Sequence, residues 1–363
     1  MGPGLLFLTL LCLLYQVEKS YQLGSLEMVI AIFRHGDRTR EKLVYPKDPH
    51  INETFDPVGI GGLTNEGKLK EYNLGGFLRS RYNQFLGPVY RPNDIKAFSS
   101  DYSRTKNSLQ LVLAGLYPPQ NTDLEWNPYL NWNPIPFDTI LPRDNRMLTL
   151  PLNFCPRYVN EVEKYFKSER VKEVESKYVD LYEYVSVNSG LNVTSVEHLG
   201  DLYDILHTEE RWGLRLPEWT KVVYPDFLYS ALVDYQYLVY ETPLLKKLSG
   251  GFLLRHVIAD MLNATKNKGP KMYLYSAHDA TLSGLLSAMN VNFPHVPPYG
   301  ACIMLELHNV GNIYFVRILY LDYSSQYLKV LTVPSCNREC PIEKFKELLK
   351  SNIPEEGTDP CIL

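Results

Sequence analysis

A short apolar run that ends on charge constrains this chain most. Glu27-Met28-Val29-Ile30-Ala31-Ile32-Phe33 passes without a break into Arg34-His35-Gly36-Asp37-Arg38-Thr39. Such a run, partly β-branched, is the mark of a strand buried inside a sheet, of the kind found in parallel sheets flanked by helices. The segments that follow agree. Thr64 to about Tyr82 has helical spacing, with Thr64 or Asn65 available as its cap. Ile95-Lys96-Ala97-Phe98-Ser99 reads as a second strand and Ser103 to Leu116 as a second helix. Strand and helix in alternation predict an α/β unit built on a mixed, mainly parallel sheet.

The pattern changes further on. Trp126 to Phe137, rich in Trp, Asn and Pro, is a loop. From about 156 to 250 the chain carries charged amphipathic segments with few strand signals, which predicts a mostly helical insertion. Strand character returns at Lys271 to Ser276, followed by a helix from Thr281 to Met289. Cys302 to His308 and Ile313 to Leu321 flank Asn309-Val310-Gly311-Asn312 as a hairpin. The expected organisation is a leader at 1–20, a first part of the α/β domain at 21–130, a helical cap at 131–250, and the second part with a C-terminal tail at 251–363.

Leu5 to Tyr15 is an apolar run of signal-peptide length, too short to span a bilayer, so a secreted product is expected. A lysosomal lumen fits equally well. Asn52-Glu53-Thr54, Asn192-Val193-Thr194 and Asn263-Ala264-Thr265 are N-glycosylation acceptors, which belong to the same route. Loss of Cys12 with the leader leaves Cys155, Cys302, Cys336, Cys340 and Cys361, an odd number. Cys336 and Cys340 could close a small loop, but spacing alone does not fix the pairing. The net charge of −4 offers no field for nucleic acid or anionic membrane, so any affinity for phosphate must come from a local cluster of cations.

Arg34 to Thr39 supplies such a cluster. Two arginines flank one histidine, and a guanidinium fork matches phosphate oxygens. His35 between them could attack phosphorus, splitting one hard displacement into two easier ones. The surrounding positive charge would keep it unprotonated in mild acid. In open α/β sheets, ligands bind beyond the carboxyl ends of strands, and a second strand end leads into His278-Asp279. There His278 would donate to phosphate and Asp279 would protonate the departing alcohol. The blander reading makes Asp279 a helix cap and His278 a core histidine. Arg104, also just past a strand, is a third cation at a helix start, where an anionic partner would explain it.

Taken together, these stretches resemble the histidine acid phosphatases, and most of all the insect venom acid phosphatases within the prostatic and lysosomal type. Tyr45-Pro46-Lys47-Asp48-Pro49, Leu63 to Gly67, Ser99 to Thr105, Tyr117-Pro118-Pro119 and Pro294-His295-Val296-Pro297 share in the resemblance. It implies an α/β domain topped by a smaller helical cap, and hydrolysis of small phosphate monoesters at acid pH without metal or other cofactor. It implies His35 as nucleophile, Asp279 as proton donor, and Arg34, Arg38, Arg104 and His278 as phosphate ligands. Disulfides would join Cys155 to Cys361 and Cys336 to Cys340, with Thr208 standing where Cys302 usually finds its partner. The family usually has proline where this chain has Arg40, which is expected to loosen a turn and add charge at the pocket mouth. No nucleic acid or membrane anchor is expected as partner, and a homodimer is left open.

Rival readings have less support. Gly62 to Lys68 has the spacing of a nucleotide-binding loop, but Leu69 replaces the magnesium-binding hydroxyl and no apolar strand precedes it. No Gly-x-Ser-x-Gly elbow occurs, and the eight histidines lack metal-ligand spacing. A phytase or phosphomutase of the same superfamily, or a catalytically weak secreted venom antigen on the same fold, are the alternatives.

Overall fold

The structure, a computed structural model, describes residues 25–141, 146–149, 151–266, 268–325, 327–357 and 359–362. The expected leader lies outside them. Among the described residues eight strands form one sheet: β1 (Leu26–Arg34), β2 (Ile95–Ser100), β3 (Asp138–Ile140), β4 (Met272–Ala277), β5 (Cys302–Val310), β6 (Ile313–Leu321), β7 (Lys329–Leu331) and β8 (Cys340–Pro341). Their order is β3-β2-β4-β1-β5-β6-β7, with β8 also on β6. Strands β1 to β4 are mutually parallel; β5 runs against β1, and β6 against β5. Five of the eight strands, β1 to β4 and β6, therefore run in one direction.

Helices α1 (Asn65–Leu86) and α2 (Ser103–Leu116) follow β1 and β2. Next come α3 (Pro156–Tyr165), α4 (Glu169–Ser176), α5 (Val179–Ser189), α6 (Val196–Trp212), α7 (Asp226–Leu238) and α8 (Pro243–Leu248). Last are α9 (Gly251–Ala264), α10 (Asp279–Ala288) and α11 (Ile342–Leu349). The side-chain alternation of β1 divides the core. Val29, Ala31 and Phe33 pack under α1 and α2, whereas Met28, Ile30 and Ile32 pack under α9, α10 and α11. Both faces of β1 are thus covered, which is why its sequence is apolar without interruption.

Helices α4 to α7 bury their own cluster, centred on Leu199, Leu202, Leu206 and Leu228, with Tyr45 reaching in from the segment after β1. One feature departs from the expected cap boundaries. Asp138–Ile140, inside the stretch 131–250, joins the sheet as β3 beside β2. With Ile135 buried and Phe137 half-buried against the cluster under α1 and α2, the chain is already tied to the sheet there. Disulfides join Cys155 to Cys361, and Cys336 to Cys340. Cys302 is free and buried, and Thr208 directs its hydroxyl to the Asp204 and Ile205 carbonyls of its own helix. No helix among the described residues is long and apolar enough to cross a membrane.

Candidate active site

The parallel register pairs Arg34, the last residue of β1, with Ala277, the last of β4. His35 and His278 are therefore neighbours at one sheet edge, with ring centroids 5.5 Å apart. Two helices fix the turn after β1. Thr64 caps α1, accepting from the Gly67 N–H, while its own N–H and hydroxyl both donate to the Asp37 carbonyl. The Gly36 N–H donates to the Ser108 hydroxyl of α2. Gly36 is required by this close approach: a Cβ there would lie 2.5 Å from the Gly67 carbonyl oxygen.

His35 is 3 % exposed. Its Nδ1 donates to the Gly36 carbonyl at 2.8 Å, so Nε2 carries the lone pair. That lone pair accepts from the Nε–H of Arg104 at 3.1 Å. Burial, followed by Arg104, Arg34, His278 and Arg38, holds the imidazole well below its ordinary pKa. It is therefore neutral in mild acid, with its lone pair on Nε2.

Each arginine has a carboxylate partner. Arg34 meets Asp279 at 2.8 Å, Arg38 meets Asp204 at 2.8 Å, and Arg104 meets Glu41 at 2.8 Å. Arg34 also donates to the Pro297 carbonyl and stacks 4.0 Å over the Tyr299 ring. The Nε–H groups of Arg34 and Arg38 are buried and have no hydrogen-bond acceptor among the described residues. His278 pairs through Nε2 with the Ser100 hydroxyl at 2.9 Å. Burial and then Arg104 push His278 down, so it is neutral too.

Asp279 opens α10 one residue after its cap position, and its Oδ1 accepts from the Ala280 N–H. The helix begins two residues earlier than the expected Thr281. Burial alone would raise the Asp279 carboxyl, but Arg34 and the Ala280 N–H outweigh it and hold it below its ordinary pKa. Asp279 is therefore not the helix cap of the blander reading; that position belongs to His278, whose side chain makes no capping bond. All six residues singled out by sequence, Arg34, His35, Arg38, Arg104, His278 and Asp279, meet at one place.

Arg40 does not go where it was expected. Rather than adding charge at the pocket mouth, it is 2 % exposed and turned inward. Its Nε lies 3.1 Å from Glu209 of α6, and its other nitrogens donate to the Leu43 and His50 carbonyls. The buried Glu209 carboxyl group holds the guanidinium inside, and the turn is anchored rather than loosened.

A cavity of about 730 Å³ opens above the arginines. Arg34, Arg38 and Asp279 form its floor, and Tyr203, Tyr229, Leu232 and Tyr235 of α6 and α7 are among its walls. Residues missed in the sequence close the site from above. Asp204 holds Arg38, Arg211 reaches Asp37 at 3.2 Å, and His207 stacks against Tyr299. All three lie on one face of α6, and their spacing of three and four residues was the available signal. Nothing local marks that face as pointing at β1.

Comparison with known proteins places this geometry in a class. Residues 25–321 match the family model of the histidine phosphatase superfamily, branch 2. The chain belongs to that superfamily and, within it, to the acid phosphatases. It is 40% identical to a venom acid phosphatase, Acph-1, of Apis mellifera, across 93% of this chain and 88% of that one. It is 35% identical to the lysosomal acid phosphatase of Rattus norvegicus, across 98% and 84%. The phytase of Citrobacter braakii shares the fold, with a TM-score of 0.67 at 16% identity over 93% of this chain and 99% of that one.

Proposed function

We propose that the protein hydrolyses small phosphate monoesters at acid pH through a phosphohistidine on His35. One observation carries this reading: the Nε2 lone pair of a buried, neutral histidine faces Arg104 and lies in the field of Arg34 and Arg38, two arginines that line an open cavity. The phosphoryl group takes Arg34, Arg38 and Arg104 as donors. The Ser100 hydroxyl gives its proton to Thr105 Oγ1 and so accepts from Nε2–H of His278, which holds that ring beside the site with its lone pair on Nδ1.

In the first step the N–P bond forms and the ester P–O bond breaks. The departing alcohol takes its proton from Asp279. In the second step water attacks phosphorus, Asp279 accepts the proton, the N–P bond breaks and inorganic phosphate leaves. Asp279 is ionised while it is paired with Arg34. A phosphoryl dianion that engages Arg34 draws this charge away and raises the Asp279 pKa, so binding itself readies the proton donor.

The aromatic walls suit simple monoesters better than a phytase-type polyphosphate. Beyond Arg34 and Arg38, the lining cations Lys70 and Arg211 are both bound to Asp37, and Asp204 adds negative charge. We read the chain as secreted or lumenal: Asn52, Asn192 and Asn263 are all exposed, and two disulfides are formed. Hydrolysis of an aryl phosphate in acid with chelator present tests the assignment. Wild type should turn over, and His35→Ala should lose nearly all activity. Unchanged turnover in His35→Ala, or none in wild type, would sink it.

A further inference from the structure

Glu41 has no role in the chemistry above, yet it stands closer to the nucleophile than its place on an exposed turn suggests. Its Oε1 lies 2.8 Å from Nη2 of Arg104 and 3.7 Å from Nε of Arg38. Through Nε, the same Arg104 guanidinium donates to Nε2 of His35. Only one planar group therefore separates the Glu41 carboxylate from the attacking atom. Nor is Glu41 free to drift. Arg40 before it is locked onto Glu209, the Arg40 carbonyl accepts from the Gly61 N–H, and the bare face of Gly61 lies over the Glu41 side chain.

Resting on the proposed function, we infer that Glu41 is an internal competitor for phosphate: its carboxylate occupies Arg104 and Arg38 until a phosphoryl group displaces it. Charge supports this. Three guanidiniums meet three carboxylates, Asp279, Asp204 and Glu41, so the floor is balanced before a dianion arrives. One carboxylate must yield if the arginines are to serve the substrate. Asp279 is needed as the proton donor, and Asp204 holds Arg38 through both its oxygens. Glu41 has the most exposed side chain of the three, at 45 % against 38 % and 26 %, so it returns to water at least cost. An anion that leaves when substrate enters and returns when phosphate is made weakens the binding of both and hastens product release.

The test is competitive inhibition by inorganic phosphate, measured with an aryl phosphate substrate for wild type and Glu41→Gln. The exposed position makes the substitution safe for folding. Loss of one competing ion pair should lower both the Ki for phosphate and KM by about three- to tenfold. Glu41→Asp, which keeps the charge on a shorter arm, should fall between the two. A Ki and KM that stay the same or rise in Glu41→Gln would overturn the proposal, because Glu41 would then be inert or would hold Arg104 in place for the substrate. Failure of phosphate to compete in wild type would overturn the arginine site itself along with the proposal. Loss of turnover in His35→Ala does not depend on Glu41, so the two ideas can fail separately.

Discussion

Charge on single residues decides most of what this site can do. In the proposed mechanism Asp279 gives a proton although Arg34 holds it ionised in the free site. Asp279→Asn should therefore slow alkyl esters by about 10²- to 10⁴-fold, and aryl esters with good leaving groups far less. Equal losses for both would remove Asp279 as the donor. Arg40 brings a different consequence. Burial and then the neighbouring Asp48 carboxyl push its partner Glu209 up to about 8, against the opposing pull of Arg40. A carboxyl raised in the folded state takes up a proton on folding. The stability it allows is complete below the ordinary glutamate pKa and is lost as pH rises towards that raised value, at up to about 1.4 kcal/mol per unit. The melting temperature should fall between about pH 5 and pH 8, and Glu209→Gln should flatten that slope. A slope equally steep in the variant would place the linkage elsewhere. The sequence named Arg40 as a departure but misplaced it, because its burial depends on Glu209, which lies 169 positions away along the chain.

At the level of elements, the turn after β1 is held from two sides. Below it, Thr64, Gly67 and Ser108 of the α1 and α2 region hold the backbone. Above it, α6 places Asp204, Glu209 and Arg211 on Arg38, Arg40 and Asp37. Gly36→Ala pushes a Cβ against the Gly67 carbonyl, so the turn must move. A shift of about 1 Å at such a site costs about a hundredfold in rate, and circular dichroism should still show a folded protein. Full activity in Gly36→Ala would show that the turn tolerates displacement. The lower half of this arrangement was legible in the sequence, where strand, glycine and capping threonine are local signals. The upper half was not. The amphipathic spacing of α6 reveals that it has a polar face, but which residues that face meets is set by how the cap packs.

Across the whole molecule, the mixed sheet and its helical layers follow from uninterrupted apolar strands alternating with helices. The short β3 was hidden, because three residues carry no period of their own and pair only once β2 is in place. The six candidate residues could be read because five sit at a strand end or helix start and Arg38 follows in the turn after β1, and parallel pairing brings such ends together. A net charge of −4 gives no hint of the site, since its three arginines are each matched by a carboxylate. What unites sheet, cap and turn is the lone pair on Nε2 of His35. The most direct test is to mix the protein with an aryl phosphate in acid, quench it in base within a turnover, and locate the phosphate by mass spectrometry. A base-stable phosphoryl group on His35, absent from His35→Ala, is the predicted result. Phosphate on another residue, or an unmodified His35 when hydrolysis of the phosphoenzyme has been made limiting, would contradict it.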